Sequence, residues 1–327
     1  MDMDSVSPLS SWPHHHFRAM GTQIDLWVEA DPPDAQAAFA EAVGCFHDAE
    51  AALSRFDPAS ELSHLNARSG EWVHVSRLLW DVLTLALDFA DESDGIFDPT
   101  VLGALKAAGY DRSFTQIGSG GQAAGGHPHT PTGGWRSVEV DPAGRAVRLP
   151  AGVGLDFGGI AKGYTAGWAA RWLGVWGPGL VDAGGDLVAG DPPRGKPGWP
   201  VTILAPRIDG QVSDTVLASL PLANGALATS GVDHRFWLVD GRPAHHIIDP
   251  RTGQPADTDA LTVTVMTPGG PAAEVWAKVA LIGGVEVGMA LLGQRGIPAL
   301  VVDRGRALHV SPLMQAHLDR QAVVGIA

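Results

Sequence analysis

Between Thr22 and Val28 the apolar residues Ile24, Leu26 and Val28 take alternate positions, the period of a strand with one buried face. Pro32–Pro33–Asp34 then opens a helix whose apolar stripe is Phe39, Val43, Phe46, Ala49 and Leu53. A second helix starts at Ser76, a good N-cap, and gathers Leu79, Val82, Leu83, Ala86 and Phe89 on one face. Asp98–Pro99–Thr100 predicts a third, with Asp98 as cap and Pro99 in the first turn, where its missing N–H costs nothing. From Gly118 to Gly134 the chain is rich in Gly, Ala, His, Pro and Thr. It has little to bury, so about 115–135 is expected to be a mobile loop.

Beyond that loop, short apolar runs alternate with turn residues. Val138–Val140 and Ala146–Leu149 flank Asp141–Pro142–Ala143–Gly144 as a hairpin. Further strands are expected at Gly179–Asp182, Leu187–Ala189, Val201–Leu204, Phe236–Val239, His245–Ile248 and Leu261–Met266, with a hairpin turn at Asp303–Arg304–Gly305. Helices interrupt them near Ile160–Leu173 and Ala272–Ile282. Strands running beside one another with helices inserted at intervals favour an α+β fold over a doubly wound one.

Composition narrows the function. Of 327 residues, 45% are apolar, enough for a core that needs no covalent staples. The single cysteine, Cys45, excludes an internal disulfide and a thiolate zinc cage. A formal charge of −14 repels nucleic acid. Residues 1–16 are polar and contain Pro8, Pro13 and His14–His15–His16, which predicts a disordered tail before one domain over 17–327. This segment has neither the cationic start nor the apolar run of a secretory signal, and no uninterrupted apolar stretch approaches the ~18 residues of a membrane span. A cytoplasmic protein is the expectation.

The common nucleotide and hydrolase signatures fail. A dinucleotide fingerprint after Gly152 and Gly154 would need glycine where Phe157 stands, and no Walker lysine, nucleophile elbow or His-Glu-x-x-His helix is present. Four other stretches carry chemistry. Leu155–Asp156–Phe157–Gly158–Gly159–Ile160–Ala161–Lys162–Gly163 reads as a strand entering a glycine-rich helix start. There the backbone can approach a phosphate and Lys162 can add charge, or the glycines serve only tight strand–helix packing. Phe97–Asp98–Pro99–Thr100 alone is a helix cap, and Asp182–Ala183–Gly184–Gly185–Asp186 alone is a hairpin turn. The fourth joins Thr229–Ser230–Gly231 to His245–His246–Ile247–Ile248–Asp249–Pro250–Arg251–Thr252–Gly253. A strand entering the Asp249–Gly253 turn points one histidine inward, as a base for a hydroxyl or as a structural residue.

Taken in order, Met20–Gly21–Thr22, Phe97–Asp98–Pro99–Thr100, Leu155 to Gly163, Gly184–Gly185–Asp186, Thr229–Ser230–Gly231 and His246–Ile247–Ile248–Asp249–Pro250 resemble the ApbE family over roughly Phe17 to Gly284. The resemblance implies two lobes around a flavin cleft and the activity of an FAD:protein FMN transferase. Such an enzyme splits FAD, attaches FMN through a phosphoester to a threonine or serine of an acceptor flavoprotein, and releases AMP. It further implies FAD contacts at Met20, Phe97, Asp98, Asp156, Lys162 and Ile248, a base at His246, and Mg2+ held by the Gly159 carbonyl and the position of Glu274.

One departure stands out. Where the family has Asp and, four residues on, Thr, this chain has Glu274 and Lys278. Glutamate can bind magnesium, whereas an ammonium repels it. Three readings follow. Lys278 takes over part of the metal's catalytic work, or the protein binds FAD with weakened or lost transfer; the i, i+4 spacing also allows a plain helix-surface ion pair between the two residues. In the third, the chain is an interaction scaffold that has abandoned the nucleotide.

Overall fold

The computed structural model describes residues 9–118, 121–123, 134–206, 213–239 and 241–319. Its centre is an eight-stranded sheet. We number its strands in chain order: β1 (His14–Ala19), β2 (Thr22–Val28), β3 (Gly179–Ala183), β4 (Leu187–Ala189), β5 (Gly225–Gly231), β6 (Ala260–Thr267), β7 (Ala299–Asp303) and β8 (Leu308–Val310). Their spatial order is their chain order, and every neighbouring pair is antiparallel. The excursions between strands build everything else. Residues 32–176 leave between β2 and β3, and 270–294 between β6 and β7.

Three helices cover one face: Pro32–Leu53, Ala161–Trp176 and Gly270–Gln294. A two-stranded ribbon, Trp199–Leu204 with Val216–Leu222, covers the other. Strand period shows in the packing. Ala299 and Val301 of β7 join the helix-side core, while Leu300 and Val302 join the ribbon-side core. A smaller third core gathers Ala104, Leu105, Tyr110, Trp237, Ala244 and Ile248. The α+β expectation holds.

The helix Arg77–Glu92 buries all five predicted residues, and Ser76 Oγ accepts from Leu79 N at 3.2 Å. In Pro32–Leu53 the buried stripe is Ala35, Ala38, Ala42, Cys45, Phe46, Ala49 and Leu53, while Phe39 and Val43 are only partly buried. Close packing against Ala161–Trp176 selects small side chains there. The third predicted helix is corrected. It runs Leu102–Ala107 after Val101, and Asp98 does not cap it. Asp98 Oδ1 instead accepts from Thr100 N (2.7 Å) and Thr100 Oγ1 (2.6 Å), an Asx turn that closes before the helix begins.

Of the predicted tail, residues 1–8 lie outside the described residues, and His14–His16 are in a strand. His14–His16 pair with Asp25–Trp27 in β1, because Trp27 and Asp25 offer His14 a stacking face and a carboxylate. Of the predicted loop, 119–120 and 124–133 lie outside the described residues; Phe114–Ile117 is a short helix and Gly134–Ser137 a 3-10 turn. One helix, Gly270–Gln294, is long and apolar enough to cross a membrane by length and composition. Half of its apolar window is buried in the fold, and Gly284 breaks it with φ +79°.

Candidate active site

Ile160 N and Ala161 N both donate to Phe157 O, at 3.1 and 2.9 Å, and this turns the glycine-rich segment into the helix Ala161–Trp176. Two residues in, Gly163 meets Gly270 of the long helix. A Cβ on either would overlap the other's backbone carbonyl, so only two glycines allow this approach. The contact delivers Glu274 to the first turn of the glycine-rich helix. Its Oε2 accepts from Gly163 N at 2.9 Å and its Oε1 from Lys162 Nζ at 2.8 Å. Lys162 also pairs with Asp186, which lies beyond the Gly184–Gly185 turn between β3 and β4. Burial works against the Lys162 charge, but Asp186 and Glu274 outweigh it and hold its pKa above the ordinary value. Burial raises the Glu274 pKa, with Lys162 opposing.

The amides expected to cradle a phosphate are partly engaged. Gly158 N donates to Asp156 Oδ1 at 2.9 Å, and Gly163 N is held by Glu274. Next to them sits Lys278. Its Nζ and Cε occupy the space where a Cβ of Gly159 would stand, and the Nζ lies 5.8 Å from the centre of the Phe97 ring. It makes no hydrogen bond or ion pair within the described residues. Burial lowers its pKa, opposed by Glu274 and Asp156.

These residues do not fit a magnesium ion. Both oxygens of Glu274 are taken, an ammonium fills the space beside Gly159, and no group of three His, Cys, Asp or Glu among the described residues is arranged to hold a metal. In this arrangement Gly159 makes a packing contact with Lys278, and Glu274 pairs with Lys162 and Gly163 N.

On the other side of Asp156 lies an aromatic wall that the sequence motifs did not reveal. Arg55, 5% exposed, has its guanidinium 4.0 Å from the Phe56 ring centre and 4.5 Å from that of Tyr110. Its Nε is 2.6 Å from Asp156 Oδ2, close enough to pair but poorly aligned for a hydrogen bond. Neither Nε nor Nη2 has a hydrogen-bond partner among the described residues. Met20 joins this wall; its φ is +50° and its N–H donates to Glu50 Oε1 at 2.9 Å. An aromatic pair around an arginine was the available signal, but Phe56 and Tyr110 are 54 residues apart in sequence.

The two adjacent histidines have different duties. His245 Nε2 bonds to Ala256 O at 3.1 Å, a structural role. His246 faces the cleft, and its Nδ1 has no partner among the described residues. Burial, then the charges of Arg235 and Lys278, hold its pKa well below 6.5, so the ring is neutral at pH 7. Ile248 packs in the third core under Tyr110 and Trp237, and Ile247 lines the cleft in its place. Phe97 and Asp98, both 4% exposed, do not line the cleft; Phe97 backs Lys278 instead. Pro99 O accepts from Asp156 N at 2.8 Å, so this segment holds Asp156 in position.

Two hollows open here. One, about 520 Å³, is walled by Met20, Arg55, Phe56, Tyr110, Phe114 and Asp156. The other, about 460 Å³, is lined by Asp182, Gly184, Asp186, Thr229, Ser230 and Glu274. Gly158, Lys162, His234, Arg235, His246 and Lys278 line both. The glycine-rich turn and the imidazole thus share one junction between two chambers.

The sequence profile described as the ApbE family matches residues 20–301 of this chain. The chain belongs to the ApbE family. An FAD:protein FMN transferase of Treponema pallidum (strain Nichols) is 31% identical over 315 residues, covering 86% of this chain and 82% of the relative. Another, from Rhodobacter capsulatus, is 31% identical over 93% of this chain and 58% of its own length. The crystal structure of the ApbE protein of Thermotoga maritima superposes with a TM-score of 0.84 at 26% identity, covering 94% of this chain and all of the other. The flavin transferase ApbE of Vibrio cholerae, at 23% identity and a TM-score of 0.76, shares the fold. Of the residues that the ApbE resemblance singled out, Met20, Asp156, Lys162, Glu274, Lys278 and His246 line the cleft.

Proposed function

We propose that this chain is an FAD:protein FMN transferase, which moves FMN from FAD to a threonine or serine hydroxyl of an acceptor protein and releases AMP. The observation that carries the reading is the pair of chambers meeting at Gly158, Lys162, His246 and Lys278. A dinucleotide has two planar ends and a diphosphate between them, and this cleft matches that plan. The aromatic chamber suits the flavin, whose ring can lie against Phe56 and Tyr110, with Met20 at its edge. The polar chamber takes the AMP half.

Phosphoryl transfer asks the protein for position, charge neutralisation and a proton acceptor. Lys162 is held by two carboxylates, so its ammonium is fixed before any ligand arrives. The acceptor oxygen forms a bond to the FMN phosphorus, the bond from that phosphorus to the AMP oxygen breaks, and AMP leaves with the electron pair. His246, whose Nδ1 has no partner among the described residues, receives the hydroxyl proton and passes it to solvent. A diphosphate beside the ring raises its pKa during the step, which strengthens the base when it is needed.

A second reading, FAD binding without transfer, is favoured by the poor fit of Glu274 and Lys278 to a divalent ion. One experiment separates the two. Incubation with FAD and threonine-containing acceptor domains, followed by mass spectrometry, is expected to show an FMN adduct and free AMP. Bound FAD with neither product across several acceptors would leave the binding reading standing.

A further inference from the structure

We propose that the Lys278 ammonium neutralises the diphosphate at the junction, so that ligand binding and FMN transfer by this chain require no divalent cation. The inference rests on the transferase reading and adds to it the source of the positive charge.

Position carries the argument. Lys278 lines both chambers, at the place where a diphosphate linking two halves of one ligand must lie. Its Nζ stands in the space that the absent side chain of Gly159 leaves, and Phe97 supports it from behind at 5.8 Å. The donors of this ammonium are not spent on any described residue, unlike those of Lys162, which are divided between Asp186 and Glu274. An unspent ammonium facing a cleft is matched to an anionic ligand.

Glu274 completes the case. A carboxylate on this helix is the natural oxygen ligand for a hard cation at the junction, yet its two oxygens hold Lys162 and Gly163 N. Recruiting it to a metal would strip the first turn of the glycine-rich helix of its partner and leave Lys162 with Asp186 alone. A dication beside Gly159 would also stand against the Lys278 charge. Lysine at this position and glutamate one turn earlier therefore work as a set. One locks the helix starts together, and the other is left to meet the ligand.

The test uses the full-length protein freed of metal by chelating resin. FAD affinity is measured by flavin fluorescence in excess EDTA and again with millimolar MgCl2, and adduct formation and AMP release are followed under both conditions. Affinity and rate are expected to agree within about twofold between EDTA and magnesium. Lys278→Gln is expected to weaken FAD binding at least tenfold in EDTA, and Lys278→Arg to keep most of it, since the first removes the charge and the second keeps it. Activity or binding that collapses in EDTA and returns steeply with magnesium overturns the proposal and leaves the transferase reading intact. If no adduct or AMP appears under any condition, the transferase reading fails. The binding arm still decides this one: metal-free affinity lost in Lys278→Gln supports it, and affinity that needs magnesium defeats it.

Discussion

Replacing Gly163 by alanine sets two effects against each other. Helix propensity favours the change, because alanine in a helix interior is more stable than glycine by about 1 kcal/mol. Packing opposes it. The new Cβ would overlap the carbonyl of Gly270 and lie 2.5 Å from its carbon and 2.9 Å from Pro271 N, all backbone atoms that cannot swing aside. Overpacking of this kind costs roughly 1–3 kcal/mol. Parting the helices also lengthens the 2.9 Å bond from Gly163 N to Glu274, and a hydrogen bond to a charged group contributes about 1.5–3 kcal/mol. The net expectation is a loss of about 1.5–5 kcal/mol. With 327 residues and an unfolding entropy of about 2.1 cal/mol/K per residue, Tm falls by roughly 2–7 °C. Gly167 supplies the control. It lies on the same helix, nothing stands within 4 Å of its added Cβ, and Gly167→Ala is expected to raise stability by about 0.5–1 kcal/mol. Calorimetry and urea unfolding of both variants check this. Should Gly163→Ala prove as stable as Gly167→Ala, the two helices do not meet backbone to backbone.

Other outcomes are expected from charge. Burial raises the Asp182 pKa to about 6 from 3.8, so the native state loses stability as pH climbs through that window; the loss, up to ~3 kcal/mol, is complete above it. Asp182→Asn is accordingly expected to raise Tm at pH 7.5 and leave it unchanged near pH 3.5, and an equal gain at both values would remove charge as the cause. His246 has the opposite linkage. Its lowered pKa means that the contribution of the neutral ring is present above pH 6.5 and lost as pH falls below it, so His246→Gln should flatten the stability profile between pH 7 and 5, measured by thermal melts. The same variant should keep FAD affinity while adduct formation drops steeply; matching losses in both assays would mark the histidine as structural. Lys162→Met strands two carboxylates and is expected to cost about 3–5 kcal/mol, with Glu274→Gln added to it recovering a good part. A double variant no better than the single one would show that the ion pair is not what holds these groups.

The sequence was legible wherever one residue's neighbours along the chain decide its conformation. Strand alternation at Ile24, Leu26 and Val28 and the cap at Ser76 are of this kind. So was the ordered series of motifs, which placed Asp156, Lys162 and His246 in one cleft. It misled where a local pattern has two solutions. Asp98 can cap a helix or close an Asx turn with Thr100, and the buried Asp156–Pro99 bond selects the turn. Bulk was a poor guide to burial in Pro32–Leu53, since close helix packing favours alanine over Phe39. The strands Val216–Leu222 and Gly225–Gly231 went unread because Pro221 and the small residues Gly225, Ala226, Ala228 and Gly231 dilute their β signal. Arg55 with Phe56 and Tyr110, and Gly163 against Gly270, are contacts between distant segments that no spacing encodes. The expected strand His245–Ile248 is broken at 246–247, so Ile247 stands before the short strand Ile248–Asp249 and meets other surroundings than its neighbour.

The segment Gly270–Gln294 is greasy enough to partition into a bilayer, and little stands against that except Glu274, Lys278, Glu286 and the break at Gly284. Each ionised group at the middle of an inserting helix costs about 2.5–3.5 kcal/mol on a translocation scale. Glu274, which ties the helix starts together in the fold, is therefore also one of the three charges that set this segment against lipid. An apolar residue at 278 would leave an uncharged run from Val275 to Val285.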